Sequence, residues 1–176
     1  MKVISKELVP ELTFKNDGHM TTLTRRKLSL ENPQASQIDI NDIAVGLANK
    51  GHFSGQMEKF FSIAEHSMMV CNWAPENLKL VALLHDASEA YLGDMIKPLK
   101  VLIPKFQEIE ERLQRVIFER FGLDYEDIIR IKPMDKMVQT LEYNYFYKEE
   151  GNLTCLSPEE ARNEFLTMFK KLYVSK

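Results

Sequence analysis

The stretch Val81–Asp94, "VALLHDASEAYLGD", decides how the rest of the chain is read. Its first half is an apolar run suited to a buried helix; its second half holds His85, Asp86, Glu89 and Asp94. A helix that buries leucines has no packing reason to carry so many titratable groups, because a charge taken out of water must be paired or bound. Their partners have to come from elsewhere in the chain. Upstream, the pattern predicts a helix from Phe60 to about Trp73, ended by Ala74-Pro75, and a second from about Glu76 to Tyr91 that stops at Gly93. His66 lies about eight residues before the turn and His85 about ten after it, so an antiparallel pair puts them within about 3 Å of the same height.

Both imidazoles can then face one point between the helices. Asp86 sits about 100° round the helix from His85, and Glu89, one turn on, returns to nearly the same face. Two imidazoles and a carboxylate converging inside a bundle form a candidate divalent-metal site. A further carboxylate can come from Asp135, or from Glu142 on the same face of a later helix. Taken alone, His66 reads as an ordinary core histidine; the hairpin geometry makes it a candidate ligand.

The rest of the chain is mostly helical. "DINDIAVGLANKG" carries Asp39 or Asn41 as N-cap, with Ile40, Ile43, Ala44 and Leu47 on one face. "PLKVLIP" reads as a Pro-bounded connector, and "KFQEIEERLQRVIFERFG" as an amphipathic helix closed by Gly122. A short helical turn at "YEDIIRI" precedes Pro133, and "MDKMVQTLEYNYFYKEE" forms the next long helix, closed by Gly151. Ser157, Pro158 and Glu160 open the last one as a capping box. Ahead of these, "FKNDGH" reads as a turn and "TLTRRKLSL" as a short strand or arm. The expectation is an all-α bundle of six or seven helices with little or no sheet: an N-terminal arm over 1–37, a core over 38–151 and a C-terminal helix over 152–176.

Composition narrows the function classes. The 176 residues are 44% hydrophobic and 28% charged with net charge −3, so a nucleic-acid polymer is not the expected partner. The basic run Thr24–Lys27 is a solvated loop or a hold for a phosphate-sized anion. Cys71 and Cys155 lie far apart, which fits a reducing cytoplasm and excludes a thiolate zinc site. The first residues lack a signal-peptide pattern, and the apolar run Leu78–Leu84 is too short for a membrane span.

Three segments in order, "IDINDIAVGLANKGHFSGQMEKFFSIAEHSMMV", "LLHDASEAYLGDMIKPLK" and "IKPMDKMVQTLE", resemble the HD-domain metal-dependent phosphohydrolases. They are similar to the branch of bacterial YfbR-like 5′-deoxyribonucleotidases and their phage relatives, over Thr24 to Tyr147. The resemblance implies an HD-domain fold, one divalent ion (Co, Mn, Fe, Ni or Zn) held by His66, His85, Asp86 and Asp135, and Glu89 and Asp94 as the catalytic acids and bases. It implies a phosphohydrolase acting on a small phosphorylated substrate, a (deoxy)nucleoside 5′-monophosphate first of all, and allows a homodimer. Another phosphate ester, or a metal- or nucleotide-binding module with weak turnover, stands as the alternative. Where that branch carries "RFxGH", this chain has His52-Phe53-Ser54-Gly55-Gln56. His52 thus stands where an arginine would hold phosphate, Phe53 where an aromatic would stack on substrate, and Lys100, Lys97 or Arg26 are the cations left to supply charge.

Overall fold

Ser62 and Glu65 start the helix that carries the first histidine. The Ser62 hydroxyl accepts from the Glu65 N–H, and the Glu65 carboxylate accepts from the Ser62 N–H at 2.8 Å. This reciprocal pair satisfies two of the orphan donors of a helix start. It begins the element at Ile63, a turn later than the apolar pattern alone suggests. In a computed structural model, described here for residues 18–174, the chain forms eight α-helices and one two-stranded hairpin. The strands are β1 (His19–Thr21) and β2 (Lys27–Ser29), antiparallel with Met20 opposite Leu28. Most of the turn expected at "FKNDGH" lies outside the described residues.

The helices are α1 (Ile40–Ala48), α2 (Ile63–Trp73), α3 (Lys79–Leu83), α4 (Glu89–Leu92), α5 (Lys97–Leu102), α6 (Pro104–Arg120), α7 (Ile128–Lys148) and α8 (Pro158–Val174). The all-α expectation holds, and the count exceeds it for two reasons. "PLKVLIP" is no plain connector: Lys97–Leu102 is helical, with Pro98 in the first turn, where a missing N–H costs nothing. The helix expected over Glu76–Tyr91 breaks at Leu84–Ser88, where Ala87, Glu89, Ala90 and Tyr91 each bond three residues back rather than four.

The cause of that break is a side chain. In an unbroken helix the Ser88 N–H would donate to the Leu84 carbonyl. Here the Gln114 amide stands between them, its Nε2 donating to Leu84 O at 2.7 Å and its Oε1 accepting from Ser88 N–H at 2.8 Å. A polar group inserted into the ladder is a recognised cause of a sharp kink. Pro133 departs from expectation in the opposite sense. It lies inside α7 rather than ahead of it, so the "YEDIIRI" turn and the long helix are continuous from Ile128. The acceptor that its absent N–H would have used is Ile129 O, on a residue 64% exposed where water can serve.

Helix α2 is the centre of the packing, in contact with α1, α3, α7 and α8. Ile63, Ala64 and Val70 from it meet Leu47, Leu83, Val138 and Phe165 in one fully buried core. Asp39 caps α1, as the sequence pattern allows, and Ser157 with Glu160 caps α8. The apolar face of α8, Ala161, Phe165 and Phe169, repeats every four residues and is buried against α1, α2 and α3. Each of the two phenylalanines contributes roughly 1.5–3 kcal/mol by leaving water. Glu65 also accepts from the Leu156 N–H at 2.7 Å, which ties the entry of α8 to the start of α2. No helix among the described residues is long and apolar enough to cross a membrane.

Candidate metal centre

Helix α2 presents His66 and the α3–α4 break presents His85, with ring centroids 5.3 Å apart, so the equal height read from the hairpin is met. The Nδ1 of each ring is engaged from behind. That of His66 lies 2.9 Å from Glu142 Oε1, and that of His85 lies 2.8 Å from the Ala82 carbonyl. A ring whose Nδ1–H is donated to an oxygen offers a bare Nε2 to its other side. Both Nε2 atoms are buried and lack a hydrogen-bond partner.

What faces them is carboxylate. Asp135 Oδ1 stands 3.2 Å from His66 Nε2 and 3.8 Å from His85 Nε2, and Asp86 Oδ2 stands 3.6 and 3.0 Å from the same two atoms. The His66, His85 and Asp135 donors lie close enough together to hold one ion. The carboxylates keep 23–28% exposure while His66 has none and His85 5%, so the imidazoles form a floor and the acids a rim. Buried, orphaned nitrogens opposite two carboxylates fit a divalent cation of the nitrogen-and-oxygen-binding type. Gln139, one turn after Asp135 on α7, donates to Asp135 Oδ1 at 2.8 Å and orients it.

Glu142 shares a helix face with Asp135 but serves the other side of His66. It is fully buried, one oxygen on His66 Nδ1 and the other 3.2 Å from His52 Nδ1. His52 therefore corrects an expectation. Its ring is 7% exposed and stacks on His66 at 4.4 Å, so it supports the site from beneath and does not stand open to hold substrate phosphate. The reason is size: an imidazole fits between Phe53 and His66, where Glu142 supplies its polar contact. Phe53 is half-buried and edge-on to Tyr147 at 6.0 Å. Arg26 is likewise committed, to Asp39 at 2.9 Å and Ser36 O at 2.7 Å, and does not serve as an anion hold.

Glu89 and Asp94 flank the centre. Glu89 is 6% exposed, and its carboxyl is pushed well above the usual range by burial, reinforced by Asp86 and Asp94 and opposed by Lys100. Asp94 accepts from the Ser54 N–H at 3.1 Å, while the Ser54 hydroxyl donates to the Asp94 carbonyl. Phe53 and Ser54 adopt positive φ to form this turn, 49° and 51°, in the sparsely populated left-handed region. Lys100 bonds Glu110 at 2.8 Å and approaches Glu89 at 3.5 Å. A polar recess of about 300 Å³ opens at the candidate metal ligands, lined by His85, Asp86, Lys100, Gln107, Glu110 and Gln114. A larger recess, about 770 Å³, lies beyond the His52–Gln56 turn among Lys59, Tyr145 and Tyr147 and contains none of the ligands.

Sequence reasoning missed two residues that place Glu89. The Lys50 ammonium donates to the Glu89 and Ala90 carbonyls at 2.8 and 2.5 Å. Gly46, one turn earlier on α1, lets α4 approach so closely that an added Cβ would meet Ala90 O at 2.5 Å. The one available signal was their spacing of four residues at the end of α1.

Protons compete for this centre. For His66, burial disfavours the charged ring, but Asp135 and Glu142 outweigh it and raise the pKa to about 9. For His85, burial is likewise outweighed, by Asp86 and Asp135, and the ring is also raised. A divalent ion must displace the proton at each Nε2, so apparent Co²⁺ affinity is expected to fall about tenfold per displaced proton for every unit that pH drops below 8. Titrations at pH 6, 7 and 8 measure this, and a flat affinity would contradict the ligand assignment.

No family model matches the chain. Similar curated proteins include the uncharacterized protein YfdR of Escherichia coli (strain K12), 33% identical over 150 residues that span 77% of this chain and 84% of YfdR. An uncharacterized protein of Rhodobacter capsulatus is 42% identical over 111 residues, 57% of each chain, so this chain spans little more than half of that relative.

Proposed function

We propose that this chain, which belongs to the same family as Escherichia coli YfdR, is a metal-dependent phosphohydrolase that removes phosphate from a small nucleotide, a (deoxy)nucleoside 5′-monophosphate first of all. One observation carries the reading: two buried imidazole Nε2 atoms without partners face two carboxylates, next to the buried carboxyl of Glu89. The sequence resemblance to HD-domain phosphohydrolases uses these same positions. His66, His85, Asp86 and Asp135 would hold the ion. When bound, a divalent ion polarises a phosphoryl oxygen and lowers the pKa of water.

The chain's own groups divide the proton work. Glu89, whose buried carboxyl holds its proton more tightly than an ordinary carboxylate does, is suited to give that proton to the leaving oxygen as general acid. Asp94, held by the Ser54 N–H, is left to orient the attacking water. Lys100, at the mouth of the recess, is the cation that can draw in a phosphate, although Glu110 and Glu89 share its charge. His52 lies too deep to assist. That shortage of positive charge supports a second reading, hydrolysis of a phosphate ester other than a nucleotide.

The test is phosphate release from a panel of ribo- and deoxynucleoside 5′-monophosphates and non-nucleotide monoesters, with Co²⁺, Mn²⁺ or Mg²⁺. Glu89→Gln keeps the shape and removes the proton. It is expected to bind Co²⁺ normally and to lose about 10²–10⁴-fold in turnover. Release from non-nucleotide esters alone would favour the second reading. Absence of release from every ester by the metal-loaded wild type would sink both.

A further inference from the structure

Gln114 is a buried amide in an otherwise apolar stripe, 4% exposed among Leu113, Ile117 and Phe118 of α6. Such a group is stabilising only when its hydrogen bonds are made, and here both are made to backbone. Its Nε2 donates to Leu84 O and its Oε1 accepts from Ser88 N–H. These are the two ends of one helical hydrogen bond that would span His85 and Asp86. The amide thus replaces one link of the ladder and fixes how far the α3–α4 helix opens. His85 and Asp86 sit in that opening, both with ligand atoms turned to the point shared with His66 and Asp135.

We propose that Gln114 is a positioning residue of the metal centre: inserted into the broken turn, it sets the direction of the His85 and Asp86 donors and so the affinity and geometry with which an ion is held. The proposal rests on reading this cluster as a metal centre. Without the amide, Ser88 N–H and Leu84 O can bond each other directly, the turn closes to 3.6-residue geometry, and His85 and Asp86 rotate relative to His66. The hydrogen bonds of Gln114 run to backbone and not to the His85 or Asp86 side chains, so it acts on them through the turn that carries them.

The experiment titrates Co²⁺ into wild-type, Gln114→Met and Gln114→Glu proteins while recording the visible absorption of bound Co²⁺, with no substrate present. Leu113→Ala, which opens a cavity one residue away in the same helix, serves as the destabilised control. Gln114→Met is expected to bind at least about tenfold more weakly, with a changed spectrum, as losses in the outer sphere of metal sites generally produce. Gln114→Glu keeps the acceptor for Ser88 N–H and is expected to recover part of the affinity; it carries the test should the methionine variant fail to fold. Leu113→Ala is expected to melt earlier yet bind Co²⁺ as wild type does. Wild-type affinity and spectrum in the Gln114 variants, or an equal loss in Leu113→Ala, would overturn the proposal while leaving the metal centre standing. A wild-type chain that binds no Co²⁺ would overturn the metal centre itself, and this proposal with it.

Discussion

Asp135→Ala is expected to weaken Co²⁺ binding by at least about a hundredfold, since loss of an outer-sphere partner alone typically costs 10–100-fold and Asp135 would be a direct ligand. Its carboxylate approaches both orphaned imidazole nitrogens, which no other side chain on α7 does. The same contacts hold it far below the usual carboxylate range: burial would raise its pKa, but the adjacent His66 and His85 imidazoles prevail. Removing it therefore does two things. It deletes an oxygen donor and takes away negative charge that balances the cation. Calorimetric titration of the metal-free variant checks this, and an affinity within threefold of wild type would remove Asp135 from the ligand set.

The second large effect is on stability. Gly46→Ala is expected to destabilise the fold by about 1–3 kcal/mol, the range for overpacking in a tight interior. Helix propensity argues the other way, since alanine is favoured over glycine inside a helix by about 1 kcal/mol. The clash decides the sign. The new methyl carbon would lie 2.5, 2.8 and 2.9 Å from the Ala90 O, Cβ and Cα, so backbone, not a flexible side chain, has to move. Lys50 grips that Ala90 carbonyl together with the carbonyl of Glu89, so the displacement passes to Glu89. Thermal denaturation is expected to show a melting temperature several degrees lower, and phosphate release to fall further than Co²⁺ binding does. A variant that melts at or above the wild-type temperature would mean that α1 and α4 part without cost.

How much of this was legible follows from which interactions are local. Apolar spacing and capping residues announced α1, α6 and α8, because helix periodicity and caps are written within a few residues of each other. The Ser62–Glu65 capping box was equally local and could have set the start of α2. His66 and His85 were legible as partners because a short hairpin joins them. The break between α3 and α4 was not, since no proline or glycine marks it and its cause, Gln114, lies 26 residues from Ser88. His52 was misread for a related reason. Position in a motif suggested substrate contact, while its depth is set by Glu142, a residue on a distant helix. A buried polar residue in an apolar stripe, as Gln114 is within α6, was the signal for the one; nothing local signalled the other.

The bond from the Leu156 N–H to Glu65 bears on how the centre comes into being during synthesis. It joins positions 91 residues apart, and Glu65 is the immediate neighbour of His66. As the chain leaves the ribosome, α2 and α3 can pair early, which brings His66 and His85 together long before Asp135 appears. Full closure of the α2 start waits until residue 156 has emerged and α8 has covered Ile63 and Ala64. The candidate metal pocket is thus begun by neighbours in time and completed by the latest arrivals, and a nascent chain holds its histidines in an open, unsupported hairpin for most of its growth beyond Asp86.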